Sequence, residues 1–209
     1  MLSSIIMTII LGYLIGCFQT SYILIRLIKK QDIRRYGFGN AGASNTVSAF
    51  GWKLGAIVAV VDILKPILSI FILKQLIATG SIDDHDFLVM LNGFFVILGH
   101  NYPFYLKFRG GKGTASLIGL GLAIDLFYGS IGIGIFIISA VCTNYIVIGT
   151  FSFLIYFTGL TFYLGMDRMS ILIAFIISIQ SIVLHIPNIK RIANDTETKI
   201  TSKISGSKN

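Results

Sequence analysis

Four long stretches without a charged residue place the strongest constraint on what this chain can fold into. They cover residues 1–25, 87–106, 126–166 and 169–189, and they are 25, 20, 41 and 21 residues long. About 20 apolar residues suffice for an α-helix to cross the hydrocarbon core of a bilayer, which is roughly 30 Å thick. Because 55% of the 209 residues are hydrophobic and only 12% are charged, a large soluble catalytic domain is excluded.

The same pattern predicts the fold class, which is an all-α polytopic integral membrane protein with seven transmembrane helices. Three prolines, and no alternating polar and apolar segments of about ten residues, argue against a transmembrane β-barrel. We expect spans near residues 4–25, 52–77, 87–102, 113–125 and 169–185, and we expect residues 126–166 to divide into two helices around Cys142, Thr143 and Asn144. The fourth span is short, or its entry loop dips into the membrane, because its 13 residues reach only roughly 20 Å as a helix.

Basic residues set the expected orientation of these spans. They cluster in three regions, here called inner segment one (residues 26–51), two (residues 99–114) and three (residues 185–209). Their basic residues are Arg26, Lys29, Lys30, Arg34, Arg35, Lys107, Arg109, Lys112, Lys190, Arg191, Lys199, Lys203 and Lys208. The positive-inside rule makes these segments cytoplasmic and puts the N-terminus outside. The acidic loop with Asp83, Asp84 and Asp86 suits the outer side.

One domain is expected, and it covers residues 1–193. Residues 194–209 are polar and are predicted to form a disordered cytoplasmic tail. Within the second span, Asp62 and Lys65 lie one turn apart, so we expect them to neutralise each other inside the bundle. Histidines at membrane boundaries usually reach to the interface, and His100 and His185 are each interpreted that way on their own.

Inner segment one is rich in glycine and in small polar residues between positions 37 and 46. Backbone N–H groups in such a chain can approach a ligand closely, since few side chains stand in the way. A flexible turn between two helices is the alternative that the residues leave open. The candidate ligand-binding residues here are Arg34, Gly39, Asn40, Ser44 and Asn45.

Inner segment two contains Gly110, Gly111, Lys112 and Gly113 where a helix is expected to begin. Converging N–H groups, the positive end of the helix dipole and a lysine together favour a phosphate site. The pattern is not a Walker A loop, because Gly113 stands where that loop needs serine or threonine. A basic loop that only holds the topology would explain the charges, but it would not explain the glycines.

Inner segment three places His185, Asn188 and Arg191 at spacings of three residues. They share one face if the helix continues past Pro187. Glu197 follows within the polar tail, and we expect it to pair with a nearby base.

The three segments together, in this order, resemble the bacterial acyl-phosphate:glycerol-3-phosphate acyltransferase family (PlsY). The matching residues of inner segment one are Asp32, Ile33, Arg34, Gly37, Gly39, Asn40, Gly42, Ala43 and Asn45. Those of inner segment two are Gly99, His100, Pro103, Phe108, Gly110, Gly111, Lys112, Gly113 and Ala115. Those of inner segment three are His185, Asn188, Ile189, Arg191, Thr196 and Glu197. Asp62 and Lys65 also match the family.

This resemblance implies transfer of a fatty acyl group from acyl-phosphate to the 1-position of glycerol 3-phosphate. The products are lysophosphatidate and phosphate, and neither a cofactor nor a metal is implied. Lys112, His185 and Asn188 are the implied catalytic residues, with Gly110, Gly111 and Gly113 binding the phosphate. The resemblance also implies a multi-pass protein of the bacterial inner (plasma) membrane with a cytoplasmic active face, membrane lipid around it, no nucleic acid partner, and contact with the enzyme that forms acyl-phosphate.

Two positions depart from the family pattern in inner segment one. The family has serine where Phe38 stands and arginine where Ser48 stands, so a hydroxyl and a cation are missing. Three hypotheses follow: a working acyltransferase in which Arg34, Arg35 or Arg109 supplies the cation; an impaired or substrate-shifted relative that binds phosphate ligands; and an unrelated transporter. The lack of an internal repeat counts against the transporter.

Overall fold

The structure, a computed structural model, describes residues 2–77 and 85–201. Over these residues the chain forms nine α-helices and two short 3-10 helices, the latter at Ile33–Arg35 and Phe104–Leu106. The α-helices are α1 (Leu2–Gly16), α2 (Thr20–Lys29), α3 (Ala43–Phe50), α4 (Trp52–Ile77), α5 (His85–Asn101), α6 (Thr114–Ile124), α7 (Leu126–Thr143), α8 (Ile146–Tyr163) and α9 (Arg168–Ala193). The expected outer loop residues Asp83 and Asp84, and the tail residues Lys203 and Lys208, lie outside the described residues.

Six segments within the described residues are long and apolar enough to cross a membrane. They are Leu2–Lys29, Trp52–Leu76, Asp86–Leu106, Leu126–Thr143, Ile146–Tyr163 and Arg168–Ala193. The shorter apolar helix α6 has 11 residues, close to the 13 expected for the short fourth span. The all-α, membrane-spanning character predicted from the charge-free runs is confirmed.

Several helix boundaries agree with the sequence. α4 has the expected range, and the longest uncharged run divides where Asn144 adopts a left-handed conformation (φ 64°) after α7. α9 continues through Pro187 to Ala193, so the spacing of His185, Asn188 and Arg191 does place them along one helix face.

The first span differs from the expectation of one continuous helix, because it is broken at residues 17–19 between α1 and α2. The carbonyl of Cys17 accepts a hydrogen bond from Tyr105 Oη at 2.7 Å, and the carbonyl of Phe18 accepts one from Lys65 Nζ at 3.0 Å. Gln19 Nε2 donates to the His100 carbonyl at 2.8 Å. Non-helical backbone is tolerated at membrane depth when protein groups satisfy it, and here polar side chains of other helices do so.

The short helix α6 is packed between α4, α5, α7 and α8, with residues 116–121 buried. Pro66 in α4 has no N–H, so the Asp62 carbonyl one turn earlier lacks its helical donor. Ser116 Oγ of α6 donates to that carbonyl at 3.2 Å. A Cβ atom at Gly119 would lie only 2.0 Å from the Ile63 carbonyl oxygen, so glycine is what allows the two helices to approach. The N-terminal end of α6 is thereby held in the middle of the bundle.

Candidate active site

The three inner segments meet around one cavity of about 470 Å³. Its polar wall is made by Asn40, Ser44, Asn45, Asp62, His100, Lys112, Thr114, His185, Asn188 and Glu197. The rest of the lining is mainly apolar and includes Val47, Trp52, Ala56, Ala59, Ile63, Ile118, Phe136, Ile146 and Val147. A ligand with a polar head and an apolar chain is the kind of molecule that such a lining suits.

A chain of hydrogen bonds crosses the polar wall from inner segment two to inner segment three. Lys112 Nζ donates to Asn188 Oδ1, and Asn188 Nδ2 donates to Glu197 Oε1 at 2.8 Å. The other carboxylate oxygen, Oε2, accepts from Arg191 Nε at 2.6 Å. Glu197 therefore pairs with a base as expected, and it also fixes which end of the Asn188 amide faces Lys112.

The pKa of Lys112 is lowered to about 8. Burial of the ammonium group is the largest cause, the positive charge of Arg191 adds to it, and the negative charge of Glu197 opposes it. A buried ammonium group close to a second cation is a favourable partner for an anion, because the anion offsets both the desolvation and the repulsion.

The glycines around Lys112 have a different role from the one that the sequence suggests. The N–H groups of Gly110 and Gly111 do not converge on a ligand, since they donate to the carbonyls of Asn101 and His100, each at 3.0 Å. Neither glycine lines the cavity. A Cβ atom at Gly111 would lie 2.0 Å from His100 Nε2. Close packing on the end of α5 thus explains these two glycines, and it aims the next residue, Lys112, at the cavity.

Gly113 does line the cavity, and it adopts a left-handed conformation (φ 82°) that glycine accommodates without strain. It caps α6 without a side-chain hydrogen bond. The residues that follow, Thr114 and Ala115, line the cavity too, so the positive end of the α6 dipole is directed at it.

A buried ionic cluster lies beneath the Lys112 loop. Lys65 Nζ is 2.8 Å from Asp62 Oδ1, which confirms the predicted pair, and it also lies 2.9 Å from His100 Nδ1. Since an ammonium group can only donate, His100 Nδ1 is the acceptor and Nε2 carries the proton toward Gly111. Thr20 Oγ1 donates to Asp62 Oδ1 at 3.1 Å.

The interpretation of His100 as an interface residue is wrong, because only 3% of its surface is exposed. Its ring contacts Lys65 and its carbonyl accepts from Gly111. Hydropathy could not reveal this role. The signal available in the sequence was its position in the motif of inner segment two, before Pro103.

His185 is also buried rather than interfacial, with 4% of its surface exposed. Its Nδ1 lies 2.8 Å from the carbonyl oxygen of Ser181, one turn earlier in α9. A carbonyl only accepts, so Nδ1 carries the proton of the neutral ring and Nε2 is left as the acceptor. Phe151 packs edge-on against the ring at 6.0 Å between centroids, which helps to fix its orientation.

Asn45 lines the cavity, but its amide is engaged within inner segment one. Its Oδ1 accepts from the Phe38 N–H at 2.7 Å. Its Nδ2 donates to the carbonyls of Asn40 at 2.8 Å and Tyr36 at 3.0 Å, with the Ile33 carbonyl at 3.4 Å. The glycine-rich part of the segment is thus a loop closed by Asn45, followed directly by α3, which the sequence did not predict.

Arg34 and Gly39, also predicted to bind ligand, are not on the cavity wall. The Arg34 guanidinium pairs with Asp32 at 2.7 Å, and its Nη1 donates to the Leu106 carbonyl at 2.8 Å. Its hydrogen bonds to Asp32 lower the pKa of that carboxyl. Arg34 therefore joins inner segments one and two. The Ala41 N–H, which donates to the Gly110 carbonyl at 3.0 Å, joins them a second time.

The first residues of the polar tail close one edge of the cavity. Ile200 lines it, and the Ile200 N–H donates to the Asn144 carbonyl at 3.0 Å. Asn144 Nδ2 donates to Thr201 Oγ1 at 3.0 Å. Across residues 2–77 and 85–201, no three His, Cys, Asp or Glu side chains are grouped as ligands of a metal ion.

Comparison with known proteins identifies what this arrangement is similar to. The family model described as glycerol-3-phosphate acyltransferase matches residues 6–195. Glycerol-3-phosphate acyltransferase 1 of Oceanobacillus iheyensis is 42% identical over 92% of this chain and 93% of its own. Glycerol-3-phosphate acyltransferase of Thermoanaerobacter pseudethanolicus is 36% identical over 95% of this chain and 96% of its own.

Solved structures give the same result for the fold. A crystal structure of PlsY (YgiH), an integral membrane glycerol 3-phosphate acyltransferase in its glycerol 3-phosphate form, superposes with a TM-score of 0.86 at 25% identity. It covers 98% of this chain and 100% of that chain. The lysophosphatidic acid form superposes with a TM-score of 0.81 at 24% identity over the same shares.

Because the Asn45 amide closes the loop of inner segment one, we expect an isosteric change at this residue to destabilise that loop. In Asn45→Asp an oxygen replaces the nitrogen that donates to the carbonyls of Asn40 and Tyr36, so we expect a loss of roughly 1–3 kcal/mol of unfolding free energy. Faster hydrogen exchange over residues 33–45 should accompany it. The matched control is Ser48→Ala, whose exposed hydroxyl donates only to the Ser44 carbonyl in the same segment. Equal exchange in the two variants would contradict the role assigned to Asn45.

Proposed function

The chain belongs to the glycerol-3-phosphate acyltransferase family, and from this membership we propose that it transfers a fatty acyl group from acyl-phosphate to the 1-hydroxyl of glycerol 3-phosphate. Lysophosphatidate and inorganic phosphate are the products. The resemblance drawn from the three motifs is confirmed by the family model and by the named relatives. The activity serves phospholipid synthesis at a membrane.

The observation that carries the proposal is that one cavity is lined both by Lys112 with its polar partners and by many apolar side chains. The polar lining includes Lys112, Asn188 and Glu197, and the apolar lining includes Phe136 and Ile118. Both substrates carry a phosphate and one of them also carries an acyl chain, so both kinds of surface are used.

The reaction requires that the phosphate of glycerol 3-phosphate is bound, that its 1-hydroxyl is aligned with the acyl carbon, and that the phosphate of the acyl donor is released. Lys112 neutralises the phosphate of glycerol 3-phosphate, with Asn188 and the start of α6 beside it. His185 Nε2 accepts a hydrogen bond from the attacking hydroxyl and aligns its oxygen with the acyl carbonyl carbon. The ester C–O bond forms as the acyl C–O bond to phosphate breaks. The hydroxyl proton ends on the released phosphate, and no acyl-enzyme is required.

The remaining predicted site residues divide into two groups in this proposal. Gly113, Asn40 and Ser44 line the cavity and bind substrate. Gly110, Gly111, Gly39, Arg34 and Asn45 shape the segments that carry those residues, and they act through them. No cofactor or metal is part of the proposed reaction.

We also propose seven spans, with α6 as the short additional crossing, the N-terminus outside and the C-terminus in the cytoplasm. The bond between Asn144 and Thr201 supports an even number of crossings between the end of α7 and the tail, since it brings both to one side. Residues 1–193 then form one membrane domain and residues 194–209 a cytoplasmic extension. The proposed location is the bacterial inner membrane. There the cytoplasmic face of the protein contacts the enzyme that forms acyl-phosphate, and no nucleic acid is a partner.

The alternative of an impaired, phosphate-binding relative is not favoured. Lys112, His185 and Asn188 all line the same cavity. The relatives described above are named acyltransferases, and this chain matches nearly their whole length. Of the two departures from the family pattern, Phe38 lines that cavity and Ser48 does not, and these three residues are present beside Phe38.

Purified protein should form lysophosphatidate when it is given acyl-phosphate and glycerol 3-phosphate. Lys112→Ala should reduce kcat/KM by roughly a hundredfold, because a charge-assisted contact to phosphate is lost. The matched control is Lys190→Ala, which removes an exposed charge from the end of α9. Product formation by the wild type no faster than by Lys112→Ala would contradict the proposed activity.

The lowered pKa of Lys112 predicts an alkaline limb in the pH profile. Above a pH of about 8 the ammonium group loses its proton, so kcat/KM for glycerol 3-phosphate should fall about tenfold per pH unit. In Lys112→Arg the guanidinium stays charged at every pH of the assay, so whatever activity remains should lack this limb. An identical limb in both proteins would assign it to another group.

A further inference from the structure

We propose that Phe38 is a positioning residue that holds Arg191 next to Lys112 as the second cation for the phosphate of glycerol 3-phosphate. Arg191 thereby takes the place of the arginine that is absent at Ser48. This inference rests on the proposed function and deepens it, since it concerns how the same site recognises its phosphate.

The first observation is a cation–π contact made by a residue of the cavity wall. The guanidinium carbon of Arg191 lies 4.4 Å from the centre of the Phe38 ring. A guanidinium group within about 6 Å of an aromatic centroid is attracted to the ring face. Phe38 lines the cavity, so the residue that departs from the family pattern is also the one that contacts this arginine.

The second observation is that Arg191 is fixed on one side and has donor capacity left on another. Its Nε donates to Glu197 Oε2 at 2.6 Å. Its buried Nη2 has no hydrogen-bond partner within the described part of the chain. Its partner Glu197 and the next residue in the network, Asn188, line the cavity. A buried donor on a permanent cation is costly to leave unpaired, and a phosphate oxygen would satisfy it.

The third observation links Arg191 to Lys112 electrostatically. The positive charge of Arg191 contributes to the lowered pKa of Lys112, so the two cations lie within range of each other's field. Their mutual repulsion is only partly offset by Glu197. A dianionic phosphate placed between them would relieve it, which favours binding of phosphate over binding of a neutral head group.

The arginines considered from sequence as replacements do not meet these conditions. Arg34 is occupied by Asp32 and by the Leu106 carbonyl. Arg35 and Arg109 are exposed, whereas Arg191 is half-buried and contacts Phe38 and Glu197, which both line the cavity. Of these arginines, Arg191 is thus the one whose contacts fit a second cation for the phosphate.

The ring at position 38 matters in this arrangement because serine has no face on which a guanidinium can stack. Leucine keeps the apolar bulk but lacks the ring quadrupole, whereas tyrosine keeps the face. The pair Phe38→Leu and Phe38→Tyr therefore separates stacking on Arg191 from simple filling of space.

The test is steady-state kinetics of these two variants with glycerol 3-phosphate as the varied substrate. Phe38→Leu should raise KM for glycerol 3-phosphate by roughly threefold to tenfold with kcat changed little, and Phe38→Tyr should stay within about twofold of the wild type. The inhibition constant of inorganic phosphate against glycerol 3-phosphate should weaken by the same factor as KM. Arg191→Gln should raise KM as well, and it should add little in the Phe38→Leu background, because the two residues act as one unit.

A further pair of variants uses the residues that the family pattern would have. Phe38→Ser should raise KM, and adding Ser48→Arg to it should recover part of the loss by restoring a cation. Three results would overturn the inference: an unchanged KM in Phe38→Leu, equal losses in Phe38→Leu and Phe38→Tyr, or additive losses in the double variant with Arg191→Gln.

Failure of the proposed function is a separate outcome. If the wild type forms no lysophosphatidate, the acyl transfer is wrong, and the affinity for inorganic phosphate measured by calorimetry on the same variants still decides the role of Phe38. Unequal affinities in the order given above would support it, and equal ones would overturn it.

Discussion

The contacts of the Lys65 ammonium group, which is buried inside the helix bundle, are the interactions on which the rest of this structure depends. A lone ammonium group at that depth would be prohibitively costly, so its three donors must all find partners. They find Asp62 in α4, His100 in α5 and the carbonyl of Phe18 at the break between α1 and α2. One side chain therefore ties together the first three spanning segments.

The backbone connects that buried cluster to the candidate active site. His100 is held by Lys65, and its carbonyl and ring are packed against Gly110 and Gly111. These glycines lead directly into Lys112, whose ammonium group meets Asn188 and, through it, Glu197. A support built from buried charges thus ends in the ammonium group of Lys112 at the cavity wall, where the proposed reaction needs a cation for a phosphate. The apolar remainder of the cavity is what a fatty acyl chain requires.

The positions of the spans followed from the sequence because a bilayer imposes a length and excludes charge. The extent of α4, the shortness of α6 and the division at Asn144 all follow from where charges and polar residues interrupt the apolar runs. The break at residues 17–19 could not be predicted in that way, since it is stabilised by Lys65 and Tyr105 from distant parts of the chain. Similarly, motif positions identified the three segments, but tertiary contacts decided that the N–H groups of Gly110 and Gly111 bond to α5 and that Arg191 contacts Phe38 on the cavity wall. Arg34 and Arg191 are equally basic in sequence, yet one joins two segments and the other stacks on Phe38.

The most direct measurement for this arrangement is calorimetric binding of glycerol 3-phosphate to the purified protein in detergent, without the acyl donor. One binding site per chain, competition by inorganic phosphate, and an affinity lowered by at least about tenfold in Lys112→Ala are the results expected from a charge-assisted phosphate contact. Binding of equal strength in the wild type and in a correctly folded Lys112→Ala variant would contradict the central claim that the three inner segments form a phosphate site around Lys112.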